Sequence, residues 1–409
     1  MSHGSPARAA AEAAAVDAYP RIVGALIRIT GDWDLAEDCA QEALAQALSR
    51  WPGDGVPANP GGWLMTVARN KATDVLRRAT VERSRLRDLA VLALTAATRE
   101  PAPGSGTGGI DDDRLRLVFT CCHPALAPEA RVALTLRTVC AVPTAEIARA
   151  FLVTESTMTR RLTRAKTKIA QARIPYRVPT GPALAERLPG VLAVLYLLFT
   201  QGYNADGEPA FAEEAVRLAR LLAGLMPDQP EARALLALLL LQHSRRDARR
   251  DAEGRLLTLE RQDRSRWDHA AVAEALALLR ETAGEPGPYA LQARIAACHA
   301  AAPSLAATDW SRIAACYDEL AALQPSPVVE LNRAVAHGYA HGPEAGLALL
   351  AAVRGQLTDY PLALAAEADL TARAGDPVRG AALFRAAAAR SHGASERRAL
   401  LDRAAELEN

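Results

Sequence analysis

Lysine is almost missing from this 409-residue chain: three occur, Lys71, Lys166 and Lys168, with none after Lys168, while arginine is used throughout. Aromatic residues make up only 4% of the sequence and β-branched residues are sparse beside alanine, leucine and arginine. That balance favours helices throughout over a sheet and predicts an all-α protein. The six cysteines (Cys39, Cys121, Cys122, Cys140, Cys298 and Cys316) show no CxxC spacing, and the reducing cytosol expected for this chain argues against disulfides. Cys121-Cys122-His123 is the local exception, but vicinal thiols are badly placed to share one tetrahedral ion, so these read as core or cap residues. No metal and no cofactor is expected.

Long apolar runs are also lacking. The longest, near Val191 to Phe199 and Ala234 to Leu241, read as too short to span a bilayer, and the opening MSHGSPARAAAEAAAV has no apolar core of a secretory signal. A cytoplasmic protein without a membrane contact is the expectation. Nor is there a paired-carboxylate, nucleophile–base or phosphate-loop pattern, so no catalytic residue is assigned and the chain is not expected to be an enzyme. Half of its residues are apolar, and the length exceeds what one core organises, so several domains are expected.

What is present is concentrated charge. In PTAEIARAFLVTESTMTRRLTRAKTKIAQAR, Pro143 to Arg173, a short helix places Ile147, Ala148 and Phe151 on one apolar face, with Thr144 as its cap. Leu152, Val153 and Thr154 break the pattern, and Met158, Leu162, Ala165 and Ile169 then recur at helical spacing on a second, longer helix. The opposite face of that helix carries Thr157, Arg160, Arg161, Arg164 and Lys168, a cationic ridge with hydroxyls that fits a DNA major groove. From Pro143 to Arg177 eight basic residues stand against two acidic ones in a chain whose formal net charge is +1. This is a helix-turn-helix pattern, although Leu152 stands where a glycine commonly makes the turn.

A second basic region lies earlier. Residues Ala10 to Trp51 read as two helices broken at Gly31-Asp32, the first with Ile22, Val23, Leu26 and Ile29 inward. The second has Leu35, Cys39, Leu44 and Leu48 inward, and Asp38, Gln41 and Glu42 outside. Its acidic start, with Asp32, Asp34, Glu37 and Asp38, suits a helix N-terminus. Pro52 to Pro60 reads as a turn-rich loop. The helix GWLMTVARNKATDVLRR, Gly62 to Arg78, buries Trp63, Leu64, Val67, Val75 and Leu76 and exposes Arg69, Asn70, Lys71, Asp74, Arg77 and Arg78. Seven basic residues oppose two acidic ones from Asn59 to Arg87. Two basic modules on one chain point to two contacts with one nucleic acid.

With these motifs in hand, the N-terminal part of the chain, through Thr180, resembles a bacterial RNA polymerase sigma factor of the extracytoplasmic-function type, of the sigma-70 family. AEDCAQEAL, Ala36 to Leu44, resembles the helix by which such factors grip the β′ clamp helices of core RNA polymerase, which implies contacts by Asp38, Gln41 and Glu42. GWLMTVARNKATDVLRR resembles the helix at the promoter −10 element, implying roles for Trp63, Arg69, Asn70, Lys71, Arg77 and Arg78. Pro143 to Arg173 resembles the −35 reader, implying Ser156, Thr157, Arg160, Arg161, Arg164 and Lys168. The residues leave two of these open: Trp63 is a stacking surface for an unstacked base or a core residue, and Arg77 and Arg78 are phosphate contacts or helix caps. The expected layout is a region 2-like domain at 10–90, a flexible Pro/Gly-rich linker at 91–113 and a region 4-like domain at 114–178, with Pro124 and Pro128 as helix starts.

The chain then continues to Asn409, beyond what a minimal factor of that type needs. A helical domain is expected at 184–285, in which the charged ERQDRSRWD, Glu260 to Asp268, reads as a capped helix start or a ligand or protein contact. At 286–409 a repeat emerges: Pro343, Gly346, Ala348, Leu349 and Leu350 align in turn with Pro377, Gly380, Ala382, Leu383 and Phe384 at one constant offset. That offset is the tetratricopeptide period, in which stacked helix pairs bury small residues between them. The layout resembles the sigma-factor group with a fused C-terminal helical, tetratricopeptide-like extension, which implies a regulatory role for the extension and a protein partner for its repeats. The competing function class is a stand-alone helix-turn-helix regulator whose repeat domain senses a ligand or protein.

Overall fold

The computed structural model describes residues 6–82, 112–151, 153–203, 209–281, 286–358, 360–391 and 393–408. Among the described residues every regular element is helical, apart from one isolated antiparallel bridge between Arg250 and Leu256. The chain divides into two compact units, Met1–Leu197 and Leu198–Asn409. Most of the expected linker, and Leu152 in the expected turn, lie outside the described residues.

The first unit opens with α1 (Pro6–Thr30), α2 (Trp33–Asp54) and α3 (Pro60–Glu82). Gly31 ends α1 with φ +68°, a left-handed value that favours glycine. Asp32 then caps α2, its carboxylate accepting from the backbone N–H of Asp34 and Leu35, both at 3.0 Å. The inward face of α1 is as expected at Ile22, Val23 and Leu26. That of α2 differs: Ala36, Ala40, Ala43 and Ala47 form the buried stripe with Cys39 and Trp51, while Leu44 is half-buried and Leu48 is 48% exposed. Small side chains let the helices approach closely, so the alanines, not the leucines, occupy the contact. The expected loop is also shorter. α2 runs through Pro52 to Asp54, because a proline in the last turn forfeits only one ladder bond, and Gly55 then donates to Trp51 O at 3.1 Å.

The second half of this unit comprises α4 (Asp113–Cys121), α5 (Pro128–Thr138), α6 (Thr144–Ala150) and α7 (Glu155–Gln171). Pro128 opens α5 as expected, whereas Pro124 sits in a turn in which Ala125 N–H donates to His123 Nδ1. Cys121 and Cys122 are buried at the end of α4, and burial pushes the Cys122 thiol up to about 12, so both are core residues.

α8 (Pro182–Tyr203) spans the boundary between the units. The apolar run at Val191–Phe199 is part of this 22-residue helix, which by length and composition is long enough to cross a membrane, so the expectation of too short a run is corrected. Its Leu188, Val191, Leu192, Leu195, Leu198 and Phe199 are buried at helical spacing. The second unit continues with α9 (Pro209–Leu225), α10 (Pro230–His243) and α11 (His269–Glu281). α10 is buried from Ala234 through Leu241, the pattern of a helix surrounded by protein. Before α11, Asp263 caps a short 3₁₀ turn, Trp267 is buried, and Asp268 caps α11 itself, its carboxylate accepting from Ala271 N–H at 3.0 Å.

The remaining helices are α12 (Pro288–Ala301), α13 (Trp310–Leu323), α14 (Pro327–His341), α15 (Pro343–Val353), α16 (Pro361–Arg373), α17 (Pro377–Arg390) and α18 (Ala394–Glu406). The pairs α14–α15 and α16–α17 start at prolines one repeat period apart, Pro327 with Pro361 and Pro343 with Pro377, and the packing repeats with the sequence. A Cβ added to Gly346 would lie 2.6 Å from Ala334 O and 2.8 Å from the Gly338 Cα. One added to Gly380 would lie 3.0 Å from Ala368 O and 2.9 Å from the Ala372 Cβ. Each glycine therefore marks where the two helices of a repeat touch through backbone.

Candidate nucleic-acid interface

The helix-turn-helix takes its form from one buried stripe. Met158, Leu162, Ala165 and Ile169 on α7 are 0 to 6% exposed, and with Ile147 and Ala148 of α6, both buried, they seat the two helices on each other. Thr154 caps α7, its hydroxyl accepting from Thr157 N–H at 3.3 Å and sharing hydrogen bonds with the hydroxyls of Ser156 and Thr157. Thr144 is not a cap: it is the first residue of α6, whose cap position is Pro143.

The opposite face of α7 exposes Ser156, Arg160, Arg164 and Lys168, while Thr157 and Arg161 are half-buried at the edge. Arg160 Nε donates to Ser156 O at 3.3 Å, which lays its guanidinium along the helix. Thr159, Thr163 and Thr167 return their hydroxyls to the carbonyls four residues earlier. Among the described residues, no ion pair neutralises Arg160, Arg161, Arg164 or Lys168. An exposed row of cations on one helix face attracts anions.

On α3, Asn70, Lys71 and Arg77 are exposed, Arg69 is half-buried rather than exposed, and the side chain of Arg78 lies outside the described residues. Trp63 is half-buried and meets the fully packed Trp51 edge-on, with ring centroids 5.5 Å apart. It is thus partly covered by the packed Trp51 and partly accessible. Only Leu64 of the expected inward set on α3 is fully buried; Ala68 and Ala72 complete that face. Asp38 and Gln41 are exposed on α2, and Glu42 is half-buried and accepts from Gln46 Nε2.

Sequence reasoning missed the contact that holds α7 against α2. Glu37, read as a helix-start acid, is 4% exposed. Its carboxylate lies 3.3 Å from Arg137 Nε of α5 and 3.2 Å from Lys166 Nζ of α7, and accepts from Thr138 Oγ1 at 3.1 Å. Lys166 also reaches Asp34 at 2.7 Å. One signal was available: Lys166 flanks the buried stripe on α7 instead of the ridge, so its charge needed a partner close by. Burial and the neighbouring Glu37 charge push the Tyr19 hydroxyl up to about 12 beside this network. A parallel link ties α1 to α4, where Arg28 pairs with Asp113 at 3.2 Å and Tyr176 donates to Asp113 O at 3.2 Å.

Three regions of the chain match family models. Residues 16–81 match sigma-70 region 2, residues 116–169 match sigma-70 region 4, and residues 187–283 match a family of unknown function, DUF6596. An uncharacterized protein of Rhizobium meliloti, R00370, is 44% identical over 354 residues, covering 85% of this chain and 84% of that protein. A probable ECF RNA polymerase sigma factor, SigI, of Mycobacterium tuberculosis is 30% identical over 153 residues, covering 37% of this chain and 52% of its own length. The match therefore spans about half of SigI. No solved structure matches.

Proposed function

The chain belongs to the sigma-70 family, as a sigma factor of the extracytoplasmic-function type with a C-terminal extension, and from that premise we propose that it binds core RNA polymerase and directs it to promoters. The observation that carries this reading is the uncompensated ridge Arg160, Arg164 and Lys168 on α7, on the same chain as the exposed cations of α3. In this reading α7 lies in the major groove of the −35 duplex, with Ser156, Thr157 and Arg161 flanking the ridge. α3 holds the melted −10 strand through Arg69, Asn70, Lys71, Arg77 and Arg78, with Trp63 as the stacking surface. Asp38, Gln41 and Glu42 on α2 meet the polymerase clamp helices. The work is in the cytoplasm, where polymerase and DNA are.

The two DNA-reading modules pack on each other through Glu37, Arg137 and Lys166, yet the elements they address differ by about 25 base pairs in position, roughly 85 Å at ~3.4 Å per step. Promoter engagement in this reading separates the modules. The segment from Arg83 to Asp112, about 30 residues, reaches up to roughly 100 Å when extended, which suffices. The extension, with its repeats, modulates this cycle through a ligand or partner of its own.

Run-off transcription with purified core enzyme tests the proposal, comparing the full chain with one ending near Pro179. Specific transcripts from either version, lost on charge reversal at Asp38 and Glu42, support it. DNA binding with no retention of core polymerase would assign the chain to the stand-alone regulators.

A further inference from the structure

The extension holds a cavity of about 560 Å³ among α11, α12 and α13, a size in the range of small-molecule sites. Three helix faces converge on it. Leu276, Leu279 and Arg280 are at i, i+3 and i+4 on α11; Arg294, Ala297, Cys298 and Ala301 are at i, i+3, i+4 and i+7 on α12; Asp309 and Arg312 sit one turn apart at the start of α13. The wall is therefore largely apolar and carries three guanidinium groups against one carboxylate. That carboxylate is already engaged, since Asp309 caps α13 by accepting from Arg312 N–H at 2.9 Å.

Three acids on these helices are engaged elsewhere. On α11, Glu274 pairs with Arg220 at 2.9 Å and Glu281 with Arg233 at 3.7 Å. On α13, Asp318 pairs with Arg333 at 2.6 Å. Among the described residues no ion pair involves Arg280, Arg294 or Arg312, whereas many arginines of this unit are paired. Gathering three uncompensated cations around one concavity is unfavourable unless an anion completes it.

We propose that this cavity binds a phosphate-bearing small molecule, its phosphate held by Arg280, Arg294 and Arg312 and its less polar body against Leu276, Leu279 and Ala297. Three guanidinium groups less one carboxylate leave a net cavity charge of two, which suits a phosphate monoester carrying about −1.5 to −2 at neutral pH. Guanidinium forks match phosphate oxygens bidentately. The site lies wholly within the extension, so its loss and the loss of promoter reading are separate outcomes.

The test is isothermal titration of the full chain with inorganic phosphate, adenosine monophosphate and succinate at matched ionic strength. Phosphate is expected to bind, adenosine monophosphate to bind more tightly through its added body, and succinate to bind more weakly than phosphate. Arg294→Gln should weaken adenosine monophosphate binding at least about tenfold. Arg280→Gln and Arg312→Gln, at exposed positions where folding is not at stake, should each do the same. Arg220→Ala, which removes a paired arginine of the same unit, should leave binding unchanged. No heat of binding from either phosphate compound, equal binding of succinate, or full binding by the Arg280→Gln and Arg312→Gln variants overturns the proposal.

Discussion

The two units of this protein differ in where their unpaired arginines lie. In the second, arginine is mostly structural: Arg220, Arg255, Arg333, Arg385 and Arg403 each pair with an acid, and Arg249, Arg264 and Arg373 lie over aromatic rings. In the first, Arg28, Arg114, Arg116 and Arg137 are paired as well, but the cations on the ridge of α7 stand in a row with no ion pair among the described residues, and their neighbour Lys166 is drawn into the contact with α2. Charge content alone therefore says little, because a paired arginine is glue and an uncompensated one is open to a ligand. The pairing state distinguishes the ridge of α7 from the paired arginines of both units.

That contrast is most severely tested by charge reversal on the ridge. Arg160→Glu with Arg164→Glu should cost ~1–3 kcal/mol per lost base contact and abolish transcription from a cognate promoter, while circular dichroism and melting stay as in the wild type. If only the salt dependence of binding changes, with uniform weakening across sequences, these arginines hold phosphates and do not read bases.

Next in size is the contact between the modules. Glu37→Gln keeps the hydrogen bond from Thr138 but leaves Arg137 and Lys166, with side chains 19% and 14% exposed, without their shared anion. A loss of about 1–3 kcal/mol is expected in the melting of the full chain, with greater separation of α2 and α7 by paired fluorophores. Unchanged separation would show that the apolar surfaces, not the ion pairs, hold the modules together.

A smaller effect is expected from acid in the second unit. Burial, with Arg245 and Arg264 nearby, lowers the His299 imidazole to about 4, and its Nδ1 is buried with no hydrogen-bond partner among the described residues. The unfolded state takes up a proton near the ordinary value of 6.5 that the folded state refuses. Stability is therefore intact above that value, falls as the pH drops through the window from 6.5 to 4, and levels off below it. Between pH 7 and pH 5 the second unit should lose about 1–2 kcal/mol in chemical denaturation, and His299→Gln should flatten this slope. The smallest effect belongs to the exposed pair Arg220–Glu274: Arg220→Ala should change stability by less than about 0.5 kcal/mol and promoter binding not at all.

Much of this architecture was legible in the residues. The stripe Met158, Leu162, Ala165 and Ile169 marked out α7 and its ridge, because helical spacing assigns faces without knowledge of the partner. The constant offset between Pro343 and Pro377, Gly346 and Gly380 revealed the repeats, including the glycines at which their helices touch. What failed were statements about which side of a helix is innermost when two answers are apolar. Leucine at 44 and 48 looked like the core of α2, but helix approach selected the alanines. Pro52 looked like a loop, but a last-turn proline costs a helix little. Glu37 itself gave no sign, since a buried acid and a capping acid are the same letter, and only the place of Lys166 beside the stripe hinted at a partner.

Helical character, the position of the basic faces and the C-terminal repetition were all settled by the order of the residues, because periodicity and local charge are properties of neighbours along the chain. Which charges are satisfied was settled only by packing. Glu37 meets Arg137 and Lys166 from far along the chain, and Arg280, Arg294 and Arg312 converge from three helices with no ion pair among the described residues. Pairing energy depends on separation in space, and that separation exists only once the helices have come together.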